Sequence, residues 1–404
     1  MTEIYLFRFK LIDMKRTKIL ISLCVVCGLF IISCAKENSK NAGLMKVAEK
    51  NGDLIVCDLS LLNEIVVFPL SMFVEELQMV KLDNADEALV KEIGVEIGDN
   101  YILVKGQTPV PYKLFDKKTG KYIGNIGSYG QGPGEYLNIY DHQLDDKNDR
   151  VYLLPWQSKY ILSYNLKGDY LGQIPLCFEM PKGKFKIDTK AGTLIASALP
   201  FQDAEAVVWQ QTIKGELLKS IAPGHLSIRP DYSNEVEAYK SGKNYSFNLL
   251  TVATRNDSVY HYDVDKNKLI PVFTMNFKTD KIPIHSYSET KRYFFGGTSV
   301  PKQMTATTTT SQNHRYFFVD RQTLKGSFFT LENDYLGGLN VVRPLLLFSG
   351  DYFAYNVEPS NLLQQIEEAL RNSDITPERK SELTKLKGTI NEDDNNYIFY
   401  SKMK

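Results

Sequence analysis

Short apolar runs alternate with polar turns along most of this chain. Tyr101-Ile-Leu-Val104, Tyr112-Lys-Leu-Phe115, Tyr122-Ile123, Val151-Tyr-Leu-Leu154, Tyr160–Tyr164, Leu194-Ile-Ala196 and Val207-Val-Trp209 are too short for helices and rich in β-branched and aromatic residues. Between them lie turn sequences: Asp116–Gly120, Asn165–Gly168, Lys214-Gly215 and Asp263–Asn267. Such text predicts antiparallel hairpins. One unit of strand, Asp/Asn-rich turn and strand recurs at Tyr112–Ile126, Tyr160–Ile174, Val208–Ile221 and Tyr260–Phe273. Its spacing of about 45–50 residues is the length of a four-stranded propeller blade. A parallel α/β fold would need helices between the strands, and this stretch offers none.

Helical text comes late. Leu362, Leu363, Ile366, Ala369 and Leu370 recur at helical spacing after Pro359-Ser360, with Ser360 the expected N-cap. Thr376-Pro377-Glu378 opens a second helix through Leu383 and Leu386, ending near Gly388. The expected helical hairpin, at about 360–388, interrupts the last blade, and Tyr397–Tyr400 supplies a final strand. A propeller closes its ring by pairing strands from both termini, and the segment Ile65–Leu82 is placed to do so.

The N-terminus reads differently. Lys15, Arg16 and Lys18 precede a 14-residue apolar run, Ile19 to Ile32, which ends at Ser33-Cys34. The run falls short of the roughly 20 residues that span a bilayer. A basic patch, a short apolar core and a small residue before cysteine make a lipoprotein export signal. Residues 1–33 would be removed, with Met14 the expected start, and lipid on Cys34 would hold the protein to the outer membrane. Polar residues up to 52 would be a flexible tether, and residues 53–404 the folded body.

Removing residues 1–33 takes five basic and two acidic residues from totals of 48 each, so the remainder is net acidic by about three charges. That excludes the basic footprint of a nucleic-acid binder. Of five cysteines, Cys24 and Cys27 leave with the signal and Cys34 is lipidated, leaving Cys57 and Cys177. Two thiols make no disulfide framework, and each is expected as a small buried residue, though a pair is open to them.

The most distinctive stretch is Tyr122-Ile-Gly-Asn-Ile-Gly-Ser-Tyr-Gly-Gln-Gly-Pro-Gly-Glu-Tyr136. Ile126-Gly127 followed by Gly130-Gln131-Gly132-Pro133-Gly134-Glu135-Tyr136 resembles the end of the first complete blade in the six-bladed β-propeller lipoproteins of Bacteroidota, an NHL/TolB-like group. Leu77–Leu82, Ile93-Gly94, Leu114–Lys117 and the closing Asp393–Lys402 fit the same pattern. Where that family closes with Asn-Pro, this chain has Asn395-Asn396. The resemblance spans roughly 64–404 and implies an all-β, six-bladed propeller of four-stranded antiparallel blades, with the helical hairpin as an insertion. The Gly130–Tyr136 loop is expected to be a tight corner, with Gln131 and Glu135 bonding backbone groups. It is no phosphate loop, since no Gly-Lys-Ser/Thr follows.

Candidates for chemistry are sparse. His142, His225, His261, His285 and His314 show no metal-ligand spacing. A propeller channel could still gather His142, His261 and His285 around zinc or calcium, with Asp141 as a neighbour. Asp263-x-Asp265-x-Asn267 alternates oxygen ligands but lacks the Gly and Glu of a calcium loop, so a plain turn is expected. Asp145-Asp146 and Asp393-Asp394 read as turn formers. Thr305–Ser311 reads as a strand edge or mobile loop. Trp156, Trp209, Tyr293 and Phe294 could stack on sugars where exposed, or fill the spaces between blades. No cofactor is expected. The expected function is an envelope-anchored binding module for a glycan, a peptide or another envelope protein. A metal-dependent lyase or hydrolase in the channel, and a scaffold with an exposed apolar patch on the helical hairpin, are the alternatives.

Overall fold

The computed structural model describes residues 44–404 except 92, 240–244, 253–254, 280, 305–308, 342–346 and 350. The export signal, Cys34 and part of Thr305–Ser311 lie outside the described residues.

The body is an all-β propeller of small antiparallel sheets, with two helices near the C-terminus. Each sheet contains four antiparallel strands in a row, two of the sheets carrying further strands, and each is named here by a landmark residue. The Tyr112 sheet contains Val95–Ile97, Tyr101–Val104, Tyr112–Asp116 and Tyr122–Ile126. Ile139–Asp145, Arg150–Pro155, Ser158–Tyr164 and Tyr170–Met180 form the His142 sheet. The Trp209 sheet follows over Gly183–Asp188, Thr193–Ala198, Val208–Thr212 and Leu217–Ile221. The His261 sheet runs Glu235–Tyr239, Tyr245–Leu250, Ser258–Asp263 and Lys268–Asn276. The His285 sheet runs Ile284–Glu289, Tyr293–Met304, Thr309–Asp320 and Lys325–Asn333. The closing sheet takes Phe348–Ser349, Tyr352–Val357 and Tyr397–Lys402 from the C-terminus and Gln78–Lys81 from the N-terminal side. The recurring unit seen in the sequence is the outer hairpin of four of these sheets, with Tyr112 opposite Ile126 and Val208 opposite Ile221.

Period-two side-chain alternation explains how the sheets pack. Leu103 faces the His142 sheet, where it meets Val151, Leu153 and Tyr164. Its neighbours Ile102 and Val104 face the closing sheet and meet Ile398 and Ala354. Likewise Val151 and Leu153 look one way, while Tyr152 and Leu154 look the other, toward Phe185 and the fully buried Trp209. These middle strands are therefore apolar on both faces, as a sheet sandwiched between two others requires.

Two parts of the chain differ from the sequence reading. Residues expected in the tether include the strand Ala48–Asn51, which pairs with Leu54–Asp58. The latter adds in parallel to the outer strand of the His261 sheet. Of the segment expected to close the ring, the strand Gln78–Lys81 does so, with a bridge from Val74 to Met403 and a bond from the Leu82 N–H to the Asn396 carbonyl. Ile65–Pro69 instead pairs in parallel with the outer strand of the His285 sheet. Both additions cover outer edges that would otherwise present unpaired backbone.

Helix α1 (Pro359–Arg371) and helix α2 (Pro377–Lys387) lie between the last two strands of the chain. The residue flanking α1 is Glu358, not Ser360, because Pro359 takes the first helical position, where its missing N–H costs nothing. Thr376 caps α2, its hydroxyl accepting from the Arg379 N–H at 3.2 Å. Leu362, Ile366, Leu383 and Leu386 are buried against Phe353 and Phe399. No large apolar side chain of either helix is exposed, so the patch expected of a scaffold is not formed there.

Where the family pattern has Asn-Pro, Asn395-Asn396 ties the closure. The Asn395 amide donates to the carbonyls of Asp83 (2.7 Å) and Ala88 (2.9 Å), and its oxygen accepts from the Asn396 N–H at 2.9 Å. A proline at 396 would lack that N–H. Asn396 in turn donates to Asn356, which holds the carbonyls of Lys91 and Ile93.

Candidate functional site

Each meander turns tightly on one face of the ring and loosely on the other. The tight face carries hairpins such as 117–121 and 165–169. The opposite face carries the long connections, among them 105–111, 127–138, 199–207, 222–234 and the helices. Loops positioned by a rigid scaffold are where sites form, and two neighbouring cavities open on this long-loop face.

The Gly130–Tyr136 loop stands between them. Its own bonds hold it rigid. The Glu135 carboxylate accepts from the Gly132 N–H at 2.8 Å, and the Tyr164 hydroxyl donates to the Gly134 carbonyl at 3.0 Å. Gly134 has φ +76°, and a β-carbon there would stand 2.6 Å from the Tyr170 ring. Gln131 is exposed.

The larger cavity, about 640 Å³, is lined by this loop together with Trp156, Tyr160, Tyr170 and Gln173. The smaller, about 370 Å³, is lined by Lys105, Gln107, Thr108, Val110, Tyr112 and Tyr129. Tyr136, Leu137 and Asn138 line both, so the two form one cleft with a shared wall. The Thr108 hydroxyl lies 2.9 Å from both the Leu137 carbonyl and the Asn138 side-chain oxygen, pinning that wall. Both volumes fall in the range of about 300–1,000 Å³ usual for small-ligand sites. Trp156 (44%), Tyr129 (45%) and Tyr232 (42%) keep exposed rings around the cleft. Trp156 and Tyr232 meet edge to face at 6.2 Å, and Gln157 donates to the Tyr232 hydroxyl at 3.1 Å.

Beside the cleft, the innermost strands carry a charged cluster. Lys182 is buried and donates to Glu235 at 2.5 Å and to the Tyr232 carbonyl at 2.7 Å. The Tyr140 hydroxyl donates to the other oxygen of Glu235. Burial, then the Glu235 charge, raises the Tyr140 phenol well above its ordinary range. Lys184 lies 3.8 Å from Asp141 and 4.0 Å from Glu237. Burial alone would lower its ammonium, but Asp141, Glu237 and Glu235 overcome this and raise it. Glu237 keeps 48% of its side chain accessible, yet burial raises its carboxyl, with Lys184 opposing. Asp141 also accepts from the Phe185 N–H at 3.0 Å, stitching neighbouring innermost strands.

The three histidines considered for a metal stand in three different sheets. His142 is 3.6 Å from Glu96 and packs edge-on against Tyr112. On the tight-turn side, His261 is 2.6 Å from Glu289, which also accepts from Ser246 and pairs with Arg321 at 2.8 Å. Burial alone would raise the Glu289 carboxyl, but His261, Ser246 and Arg321 hold it below its usual range. His285 is buried, and its Nε2 accepts from the Asp257 N–H at 3.2 Å while Nδ1 faces the Pro283 carbonyl at 2.9 Å. Among the described residues no three His, Cys, Asp or Glu side chains stand together as a metal site. Asp263 and Asn267 are committed to the turn, Asp263 to Lys266 and Asn267 to Tyr262 and Ser220.

Cys57 and Cys177 are free thiols in different sheets. Trp209 is wholly buried and Phe294 nearly so, which leaves Trp156 as the exposed tryptophan. Sequence reading missed Lys105, Tyr129 and Tyr232. A lone lysine before Gly-Gln-Thr carries no local signal, and its position matters only once the ring brings the loops together.

The fold and cleft define a β-propeller with a ligand-sized opening on its long-loop face. The chain belongs to the family described as Domain of unknown function (DUF4934), whose model matches residues 55–402. It is similar in structure to a Bacteroides fragilis protein described as exported, with TM-score 0.58 and 16% identity, covering 87% of this chain and 99% of that one. A member of the DUF4221 family from Bacteroides vulgatus aligns at TM-score 0.38 and 10% identity, covering 82% and 97%. No curated protein matches the sequence.

Proposed function

We propose that this protein is an envelope-anchored binding module whose ligand lies in the long-loop cleft. The observation that carries the reading is the double cavity walled by the rigid Gly130–Tyr136 loop and lined by the exposed rings of Tyr129 and Trp156, with Tyr232 packed against Trp156. Exposed aromatic rings around a concavity are costly to leave in water and favourable to cover. The reading includes export and a lipid on Cys34 at the outer membrane. Its supports are the Lys15–Cys34 sequence and the description of the Bacteroides fragilis protein as exported. It also includes six blades. Four sheets of four strands, plus the four-stranded meander within each of the two larger sheets, support that count.

The test is retention. Purified protein, immobilised, is exposed to solubilised cell-envelope material alongside the Trp156→Ala/Tyr232→Ala variant. Compounds held by the wild type and not by the variant support the reading. Identical retention by both would refute it.

A further inference from the structure

Lys105 is the unusual charge in the cleft. The neighbouring Lys182 and Lys184 each have carboxylate partners within 4.0 Å. Lys105 lines the smaller cavity, half-buried, and its ammonium has no carboxylate within ion-pair distance among the described residues. Burial, then the Lys184 charge, lowers its ammonium below the ordinary lysine range, with the more distant Asp141, Glu237 and Glu235 opposing. An unpaired ammonium in a partly dry site is held at a cost that an incoming anion would remove.

The rest of the lining has another character. Gln107, Asn138 and Gln173 offer amides, and Tyr129 and Trp156 offer ring faces. The carboxylate of Glu135 is already engaged by the Gly132 N–H. Rings suit the C–H faces of a pyranose, and amides suit its hydroxyl edges. A peptide adding to a sheet would need a free strand edge along the cleft. The short strands there, Ser128–Tyr129 and Glu135–Tyr136, pair over only two residues, too short an edge to seat an extended peptide.

We propose that the cleft takes an oligosaccharide that carries a carboxylate, with sugar units on both sides of the Gly130–Tyr136 loop and the carboxylate paired to the Lys105 ammonium. This rests on the cleft being the binding site. The shared chemistry is a sugar carboxylate, from a uronic acid or from a sialic acid, and the probes separate the two.

Calorimetric titrations would use tetragalacturonate against its methyl ester, and 3′-sialyllactose against lactose. The proposal expects one acidic probe to bind at least ten-fold tighter than its neutral counterpart, and which one identifies the acid. Lys105→Met should abolish that preference and Lys105→Arg preserve it, while Trp156→Ala weakens both forms. Equal binding of acidic and neutral forms, or a preference that survives Lys105→Met, overturns the carboxylate assignment. The cleft reading then still stands if Trp156→Ala weakens binding. Binding of none of the four sugars, or of a peptide carboxylate in their place, overturns the oligosaccharide. The cleft reading itself fails only on identical retention in the envelope experiment.

Discussion

The Tyr136 hydroxyl accepts the backbone N–H of Tyr112 at 2.9 Å. It also donates to the carbonyl of Ile126 at 2.7 Å. Tyr112 and Ile126 are cross-strand partners, so one phenol is wedged between the ends of two strands of the Tyr112 sheet. The last residue of the glycine-rich loop thus fixes the cleft wall to the sheet beneath it.

Tyr136→Phe keeps the ring and removes both bonds. It leaves a buried N–H without a partner, which costs about 1–3 kcal/mol. Urea unfolding should show a loss of that size. A loss below about 0.5 kcal/mol would mean that the strand ends close on each other without the phenol.

Ring closure should be acid-sensitive. Asp394 accepts from Lys81 at 2.5 Å, Tyr397 at 2.6 Å and Asn84 at 3.0 Å. Burial alone would raise its carboxyl, but these donors and the Asn391 N–H bring it down to about 2. A carboxyl lowered in the folded state gives stability that is complete above its unfolded value near 4 and is lost as pH falls toward 2. The contribution is on the order of 2 kcal/mol. Asp394→Asn should remove it, so that the variant loses less stability than wild type between pH 4 and pH 2. Parallel losses would contradict the assignment.

Asp257 should act in the opposite sense. It is fully enclosed, and burial raises its carboxyl to about 7, with backbone N–H groups and Arg255 only partly opposing. A raised carboxyl favours the folded state while protonated, so its contribution falls as pH rises from about 4 through 7. Asp257→Asn keeps an acceptor for the Leu249 N–H, which Asp257 now holds at 2.6 Å. The variant should gain melting temperature relative to wild type at pH 8 and not at pH 4. An equal change at both would show that the group does not titrate in this range.

The thiols should differ in reactivity. Burial, then the Asp58 charge, pushes the Cys57 thiol up to about 12. Cys177 is only partly buried, its thiol also raised by burial. Iodoacetamide at pH 8 should label Cys177 slowly and Cys57 only after unfolding, because the thiolate is the reactive form. Labelling of neither before reduction would reveal a disulfide and contradict the separation of the two.

The repeated outer hairpins were legible because their signal is local: alternating strands, a turn of fixed chemistry, and apolar residues on both faces. Helices α1 and α2 were legible for the same reason, although Pro359 displaced Ser360 from the cap. Strand Leu54–Asp58 carries no sequence signal of its partner, and Ile65–Pro69, expected at the ring closure, lies elsewhere, because both pair in parallel with strands more than 200 residues away. Such pairing leaves no turn and no spacing to read. His142, His261 and His285 looked equivalent as letters, and only the ring shows that each has a separate partner. Of the two side chains expected to bond backbone in the Gly130–Tyr136 corner, Glu135 accepts from the Gly132 N–H, whereas Gln131 is exposed. The cleft on either side of it depends on loops at 105–111 and 155–158, which only the fold brings together.

The most direct measurement is hydrogen–deuterium exchange of the purified protein with and without the material that it retains from the envelope. The account predicts added protection at 105–112, 128–138 and 155–160, on the long-loop face. Protection confined to the tight turns at 117–121 and 165–169, or to the outer strand Ile65–Pro69, would contradict it.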